Sequence, residues 1–317
     1  MKVLRSLFDV SPADLDRAPA SVVTVGNFDG VHLGHAKVLS ATVEKAARKA
    51  AVSVAVTFDP HPAALLSPET APPILTRTPR KVELMAAVGI GVVVIQPFTH
   101  RFASLSPEEF VGHLAEQLRV RVLCVGRDFR FGRARKGDWR TLRSLAAEVG
   151  AGLHRVPPVT VGGVTVSSSA VREALGAGDV RLAARMLGRP HEVDGEVVRG
   201  SGRGGSLGYP TANVDAAGMC LPAEGVYAGQ ASIGDLTRAA LISYGRRHTF
   251  GEDRPLLEVH LLDADGDFYG GRMRVGFQTR LRDQRGFADP EALKEQLARD
   301  EQQARLAAGP APKPVER

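Results

Sequence analysis

Ser21-Val22-Val23-Thr24-Val25-Gly26-Asn27-Phe28-Asp29-Gly30-Val31-His32-Leu33-Gly34-His35 passes from a short Val-rich run, through a turn with glycine and aspartate, into the helical pattern AKVLSATVEKAARKAA. A β-branched run followed by apolar residues at helical spacing predicts a buried strand feeding a helix. The same alternation continues downstream. SVAVTF, GVVVIQPF and VRVLCVG read as further strands, with LHRVPPV as a candidate fifth. RKVELMAAVG, SPEEFVGHLAEQL and DWRTLRSLAAEVG read as the helices between them, so the pattern predicts a Rossmann-like α/β half with a parallel sheet. Ser106, Pro107 and Glu109 have the spacing of a capping box with proline in the first turn, which sets one helix start.

Near Leu187 the pattern changes. GEVVRG, TANV, GVYAGQASI, RAALISYG, LLEVHLLD and FYGGRMRVGF are short and separated by glycine-rich turns, which predicts a small antiparallel β-barrel. A C-terminal helix follows, with Asp289 and Pro290 at its start and Leu293, Leu297 and Ala298 as its apolar stripe. The expected division is therefore 1–186, 187–308, and a disordered tail over 309–317. A length of 317 residues agrees with two domains.

Composition narrows the class of protein. Hydrophobic content of 44% without a run of about 20 apolar residues argues against a membrane span. The charged N-terminus lacks the apolar core of a secretory signal, so a cytoplasmic protein is expected. Cys124 and Cys220 lack metal-ligand spacing, and neither zinc nor a disulfide is expected. A net charge of +6 asks for an anionic partner, but 5% aromatic content and scattered arginines suit nucleotide phosphates better than nucleic acid.

The first chemical site is expected around His32 and His35. Both stand where a helix opens at a strand's carboxyl end, a place where imidazoles and unsatisfied amides meet an anion. They are candidates to stabilise charge on the α-phosphate and leaving pyrophosphate during in-line attack, with Gly34 allowing close approach. Three other segments stand at strand ends: Thr57-Phe58-Asp59-Pro60-His61-Pro62, Gly126-Arg127-Asp128-Phe129-Arg130-Phe131-Gly132, and Ser167-Ser168-Ser169-Ala170-Val171-Arg172.

A second site is expected in the β-rich half. Gly200-Ser201-Gly202-Arg203-Gly204-Gly205-Ser206-Leu207-Gly208-Tyr209-Pro210-Thr211-Ala212-Asn213 joins a glycine-rich loop to two small oxygen donors. Thr211 and Asn213 alternate onto one strand face and are candidates for one magnesium ion. Glu258 stands in a strand pattern, where by itself a solvent-facing glutamate is the ordinary reading. Asp263-Ala264-Asp265-Gly266-Asp267 starts like a calcium loop but lacks the closing glutamate, so a hairpin turn is expected there.

Together, GNFDGVHLGH, TFDPHP, GRDFRFG, SSSAVR and the PTAN element resemble the bacterial bifunctional riboflavin kinase and FAD synthetase family over nearly the whole chain. The resemblance implies an α/β nucleotidyltransferase domain that adenylylates FMN, then a barrel that phosphorylates riboflavin, both with ATP. It places Gly26, Phe28, His32, Gly34, His35, Asp128, Ser168, Ser169 and Arg172 near the ATP of the first site, and Phe58, Pro60 and Phe131 nearer the flavin. In the second site it places Arg203 at ATP, Thr211 and Asn213 at ATP and Mg²⁺, Glu258 as the catalytic general base at the ribityl hydroxyl, and Arg282 on the flavin side. Ser169 replaces the family's usual threonine. Ser243-Tyr244-Gly245 and Arg247-His248-Thr249-Phe250 depart from its Asn-Ile-Gly and Asn-Pro-Thr-Phe, and Gly205 stands where a basic residue is common. The competing readings are another HxGH nucleotidyltransferase, acting on a phosphopantetheine or cytidylyl acceptor, and a basic RNA-binding barrel.

Overall fold

The computed structural model describes residues 1–11, 13–15, 18–200, 208–247 and 252–308. Arg203, Gly205, His248, Thr249, Phe250 and the expected tail over 309–317 lie outside the described residues. The chain forms two compact units, Met1–Ser167 and Ser168–Arg317.

The first unit is a six-stranded parallel sheet in the order β1-β4-β3-β2-β5-β6. Its strands are β1 (Lys2–Leu4), β2 (Ser21–Val25), β3 (Val52–Asp59), β4 (Val92–Pro97), β5 (Val120–Gly126) and β6 (Gly152–Val156). Crossover helices are α1 (Leu33–Arg48), α2 (Pro62–Leu66), α3 (Thr78–Val88), α4 (His100–Ala103), α5 (Pro107–Leu118) and α6 (Trp139–Glu148). Both faces of the sheet are covered, which is why its strands read as continuous apolar runs. Val23, Val25, Val54, Val56, Val92 and Val94 pack with Phe110 and Leu114 of α5 and Leu142 of α6. Ala55 and Val93 pack with Leu39 of α1 and Met85 of α3. Each fully buried valine, leucine or methionine among them contributes about 1.5–3 kcal/mol. The Ser106 box forms as expected: its Oγ accepts from the Glu109 amide at 3.1 Å, and its own amide donates to Glu109 Oε2 at 2.7 Å. Strand β1, which pairs with β4, escaped the pattern because it is three residues long and begins with lysine.

Chain order makes β2 the point of reversal. The path runs outward from β2 through β3 to β4, then returns to β5 and β6 on the other side of β2. The crevice at the carboxyl ends of β2 and β5 is thus the topological switch point of the sheet, where open α/β folds bind ligands. A small hairpin, β7 (Thr160–Val161) and β8 (Val164–Thr165), closes this unit.

The second unit begins with α7 (Ser168–Gly176) and α8 (Val180–Leu187) and continues into a closed six-stranded barrel. Its strands are β9 (His191–Val198), β10 (Ala212–Asp215), β11 (Gly225–Ile233), β12 (Leu236–Arg247), β13 (Glu252–Leu261) and β14 (Arg272–Arg282), in the order β10-β13-β12-β11-β14-β9. Strand β9 pairs with β10 to close it. Tyr227 and Phe277 meet edge-to-face at 5.3 Å in its fully buried core.

Closure corrects one expectation. The segment carrying Asp263–Asp267 is no hairpin, because β13 and β14 are not neighbours; β10 and β9 stand between them. Sequence adjacency suggested a tight turn, whereas residues 262–271 have to cross the end of the barrel.

The C-terminal helix α9 (Pro290–Ala308) starts as expected, with the Ala292 amide donating to Asp289 Oδ1 at 2.8 Å. Its buried stripe differs from the expectation. Ala298 is exposed, and Leu297 and Ala304 pack on Val226, Ala228 and Leu241 of the barrel. The missing position of the stripe is Asp300, 1% exposed, whose charge hid it from an apolar pattern. Its carboxylate accepts from Arg282 Nε at 2.9 Å and Nη2 at 2.7 Å, and from Gln296 Nε2 at 2.6 Å. Removing one partner of such a pair strands a buried charge. Asp300→Ala is therefore expected to cost about 3–5 kcal/mol, measured by urea denaturation; a midpoint unchanged from the parent would show that the pair does not hold the helix.

Candidate functional site

The segment Gly26–His35 runs from the end of β2 into the first turn of α1 under backbone strain. Phe28 and Val31 have φ of 47° and 38°, and Gly30 has φ of 86°. A β-branched residue with positive φ is a genuine outlier, costs about 1–3 kcal/mol, and persists only where its surroundings hold it. Here Asp29 is the anchor. Its buried carboxylate accepts from the amides of Leu75 (3.0 Å) and Thr76 (3.1 Å) at the approach to α3.

The two histidines come together. Their rings stack with centroids 3.6 Å apart and planes 16° from parallel. His32 is the N-cap of α1, its Nδ1 accepting from the His35 amide at 3.2 Å. The accepting nitrogen carries no proton, so the proton of a neutral His32 ring is on Nε2. One amide expected to face an anion is thus already used, while those of Leu33 and Gly34 still precede the first helical hydrogen bond, Ala36 to His32. Gly34 has a more local reason than ligand approach: a Cβ there would lie 3.1 Å from His32 Cε1 and Nδ1. The spacing H-x-G-H therefore lets the first ring lie over the helix start.

His35 is held neutral. Burial, then the neighbouring His32 and Lys81, push it well below the usual histidine range. Its Nδ1 is buried without a hydrogen-bond partner. Phe28 meets its ring edge-to-face at 5.3 Å and is itself 2% exposed, so the Phe28 side chain supports His35 from inside the core. A Cβ on Gly26 would come within 3.2 Å of that phenyl ring, which ties Gly26 to the same packing.

Around this loop, Thr57 Oγ1 donates to Asn27 O at 3.1 Å, and Asn27 Nδ2 lies 3.3 Å from His61 Nε2. Phe58 packs against Phe98 and Phe102, and Pro60 follows it on an exposed turn. Phe131 is 5% exposed between Phe110 and Phe129, leaving Phe129 as the more open ring. Asp128 and Phe129 line a cavity of about 540 Å³ at the ends of β5 and β6 with Arg127, Arg130, Arg135, Arg140 and Arg155. This cavity and the His32–His35 loop follow β5 and β2, the two strands that flank the switch point. Ser168, Ser169 and Arg172 stand on the opening turns of α7, within the second unit.

Sequence reasoning missed Lys81. It is 4% exposed on α3, and burial lowers its pKa against the opposing pull of Asp29 and Asp59. The signal was present: Lys81 precedes buried Met85 by four residues and so lies on the apolar stripe.

In the barrel, pairing sets a lateral row. Asn213 of β10 is opposite Glu258 of β13, which is opposite Ser243 of β12. Directly paired residues share a sheet face. Asn213 is buried with Oδ1 lacking a hydrogen-bond partner. Thr211 lies one residue before β10, so strand alternation does not govern it; it lines a cavity of about 460 Å³ with Pro210, Ala212, Val259 and the crossing segment Ala264–Tyr269. Ser243, where the family carries asparagine, keeps a hydrogen-bonding group in the row: its Oγ accepts from Gln284 Nε2 at 2.8 Å. Arg282 is the half-buried partner of buried Asp300, and its Nη1 donates to Asp283 O at 3.0 Å.

Comparison with known proteins finds two family models in tandem along the chain. Residues 15–170 match the family model described as FAD synthetase, and residues 187–308 match that described as riboflavin kinase. The chain is 37% identical over 307 residues to the bifunctional riboflavin kinase/FMN adenylyltransferase of Escherichia coli (strain K12), covering 96% of this chain and 97% of the relative. It is 38% identical over 312 residues to the protein of that name from Pseudomonas fluorescens, covering 98% and 99%. A crystal structure from Streptococcus pneumoniae, described as a macrolide-efflux protein, superposes with a TM-score of 0.82 at 28% identity, covering 95% of this chain and 97% of that one. Among the described residues, no helix of the present chain is long and apolar enough to cross a membrane. With both domain models matched in tandem and relatives above one-third identity along almost its entire length, the chain belongs to the bifunctional riboflavin kinase/FMN adenylyltransferase family.

Proposed function

We infer that this chain phosphorylates riboflavin to FMN and adenylylates FMN to FAD, with ATP as co-substrate for both reactions. The observation that carries the reading is the stacked His32–His35 pair at the start of α1, at the switch point of a sheet whose sequence matches FAD synthetases. Other HxGH nucleotidyltransferases do not account for the riboflavin kinase match over 187–308. In the first unit, His32 and the open amides of Leu33 and Gly34 face the triphosphate, and neutral His35 offers a hydrogen bond without the cost of a second buried charge. Asp128 and the arginines around it form the far wall of the nucleotide site. Phe58 and Pro60 are assigned to the flavin, with Phe131 acting through the ring of Phe129. The family resemblance assigns Ser168, Ser169 and Arg172 to phosphate oxygens, for which hydroxyls and a guanidinium are suited.

In the barrel, Glu258 accepts the proton of the ribityl hydroxyl as its oxygen attacks the γ-phosphorus of ATP. Thr211 and Asn213 are the assigned holders of Mg²⁺. Their hard oxygen donors suit that ion, and the buried, unpartnered Oδ1 of Asn213 is the observation that fits it. When bound, the ion neutralises charge on the ATP phosphates. The cavity beside Thr211 is assigned to the nucleotide and Arg282 to the flavin side. A cytoplasmic location and small-molecule partners alone, without nucleic acid or membrane, complete the reading.

Incubating purified protein with riboflavin, ATP and Mg²⁺ is expected to give FMN first and FAD after it, resolved by chromatography. Neither product would reject the reading; FMN alone would reject it for the first unit.

A further inference from the structure

Lys81 is the one lysine recorded as buried among the described residues, and no step described above uses it. Its ammonium points under the Gly26–His35 loop, with Nζ 3.4 Å from Thr57 Oγ1. That hydroxyl donates in turn to Asn27 O, so lysine, threonine and loop backbone form one chain of hydrogen bonds. The strained loop depends on such support. Asp29 fastens one side of it to the amides of Leu75 and Thr76, a few residues before Lys81 in sequence, and Thr57 fastens the other side to β3. Burying an ammonium costs several kcal/mol unless it is paired and hydrogen-bonded, which marks this placement as unusual for a merely structural residue.

We propose that Lys81 is a positioning residue for adenylyl transfer: a fixed cation beneath the Gly26–His35 loop that holds the loop in register and makes the floor of the phosphate site electropositive. The proposal rests on the reading of the first unit as an FMN adenylyltransferase. In that reaction a phosphate oxygen of FMN forms a bond to the α-phosphorus of ATP. The bond from that phosphorus to the bridging oxygen breaks, and pyrophosphate leaves with the electron pair. No proton has to move to Lys81 or from it. Negative charge instead shifts toward the leaving group, and a positive charge already in place in a low-dielectric site stabilises it without reorganisation.

Lys81 also acts on His35. The charged or titratable groups that bear on His35 are His32 and Lys81, and both oppose its protonation, while Asp29 and Asp59 bear on Lys81. A cation kept beside His35 opposes its protonation, so that ring remains a neutral hydrogen-bonding group.

The test uses the full chain carrying Lys81→Met, which approximates the length of the side chain without its charge. FAD formation from FMN is measured at saturating ATP and Mg²⁺, riboflavin phosphorylation serves as the internal check on folding, and His35 is titrated by NMR in the free protein. The expected result is a kcat for FAD formation lower by about tenfold to a hundredfold, KM values within about threefold, unchanged riboflavin phosphorylation, and a His35 titration displaced to higher pH. A kcat within twofold of the parent overturns the proposal. So does a lowered kcat with His35 titrating as before, since that outcome assigns Lys81 to packing alone. Should Lys81→Met fail to fold, Thr57→Val, isosteric and lacking only the hydroxyl link, decides the matter: a several-fold loss of kcat supports the proposal and an unchanged kcat overturns it. A parent protein that forms no FAD would instead reject the reading of the first unit, and the proposal with it.

Discussion

His35→Ala is expected to lower kcat for FAD formation by about 10²–10³, while riboflavin phosphorylation stays within about twofold of the parent. The size of the expected loss comes from the position of the ring. His35 is stacked on His32 at 3.6 Å and braced by Phe28, so its hydrogen-bonding atoms are aimed before any substrate arrives. Preorganised donors in a partly desolvated site contribute more to a transition state than the same groups do in water. Alanine removes the donor and also one face of the stack that keeps His32 over the helix start. A stopped assay following FAD from supplied FMN, run beside an assay of FMN from riboflavin, separates the two units. Equal loss of both activities in a folded variant would contradict two separate sites. Stability gives a second measure. An unfolded histidine binds a proton in its usual range, whereas folded His35 does so only at lower pH, so the unfolded chain holds more protons in between and acid favours unfolding. The alanine variant lacks this contribution and is expected to lose less stability on acidification.

Glu258→Gln produces the opposite division: FMN formation falls by about 10²–10⁴, and FAD formation from supplied FMN persists. The amide is nearly isosteric with the carboxylate but is not a useful base, so the substitution isolates proton acceptance from packing. The expected severity follows from the row Asn213–Glu258–Ser243, in which the carboxylate stands between the assigned metal donor and a hydroxyl fixed by Gln284. If the variant loses binding instead, KM for riboflavin rises while kcat holds, and Glu258 is a ligand-holding group rather than the base. Retention of full kcat and KM would remove it from the site.

Much of this was legible in the order of residues because the relevant signals are local. Strand β2, the helix after it and the histidines between them follow from a Val-rich run, a turn and helical spacing within about thirty residues. The Ser106 capping box is likewise written in four consecutive positions. What escaped depends on partners distant in sequence. Lys81 and Asp300 interrupt apolar stripes, and a charge in such a stripe reads as solvent-facing until its partners, Thr57 and Arg282, are brought to it. The path of residues 262–271 depends on barrel closure, which no neighbouring residues encode. The close approach of the His32 ring to Gly34 is likewise hidden in the sequence, because it arises only once the helix is capped.

The two units also differ in how they face other chains. Among the described residues every strand of the barrel pairs with a neighbour on each side, although β10 covers only short stretches of β9 and β13. The open sheet ends in two flanks, Lys2–Leu4 and Gly152–Val156. The first is three residues long, with Lys2 Nζ bonded to Ala13 O, and the second is half exposed and carries Arg155. Short length and a cation are the usual protection of such flanks against strand-to-strand aggregation. In the open sheet, a loosened β6 would uncover the ladder of β5, which lies one strand in from that flank.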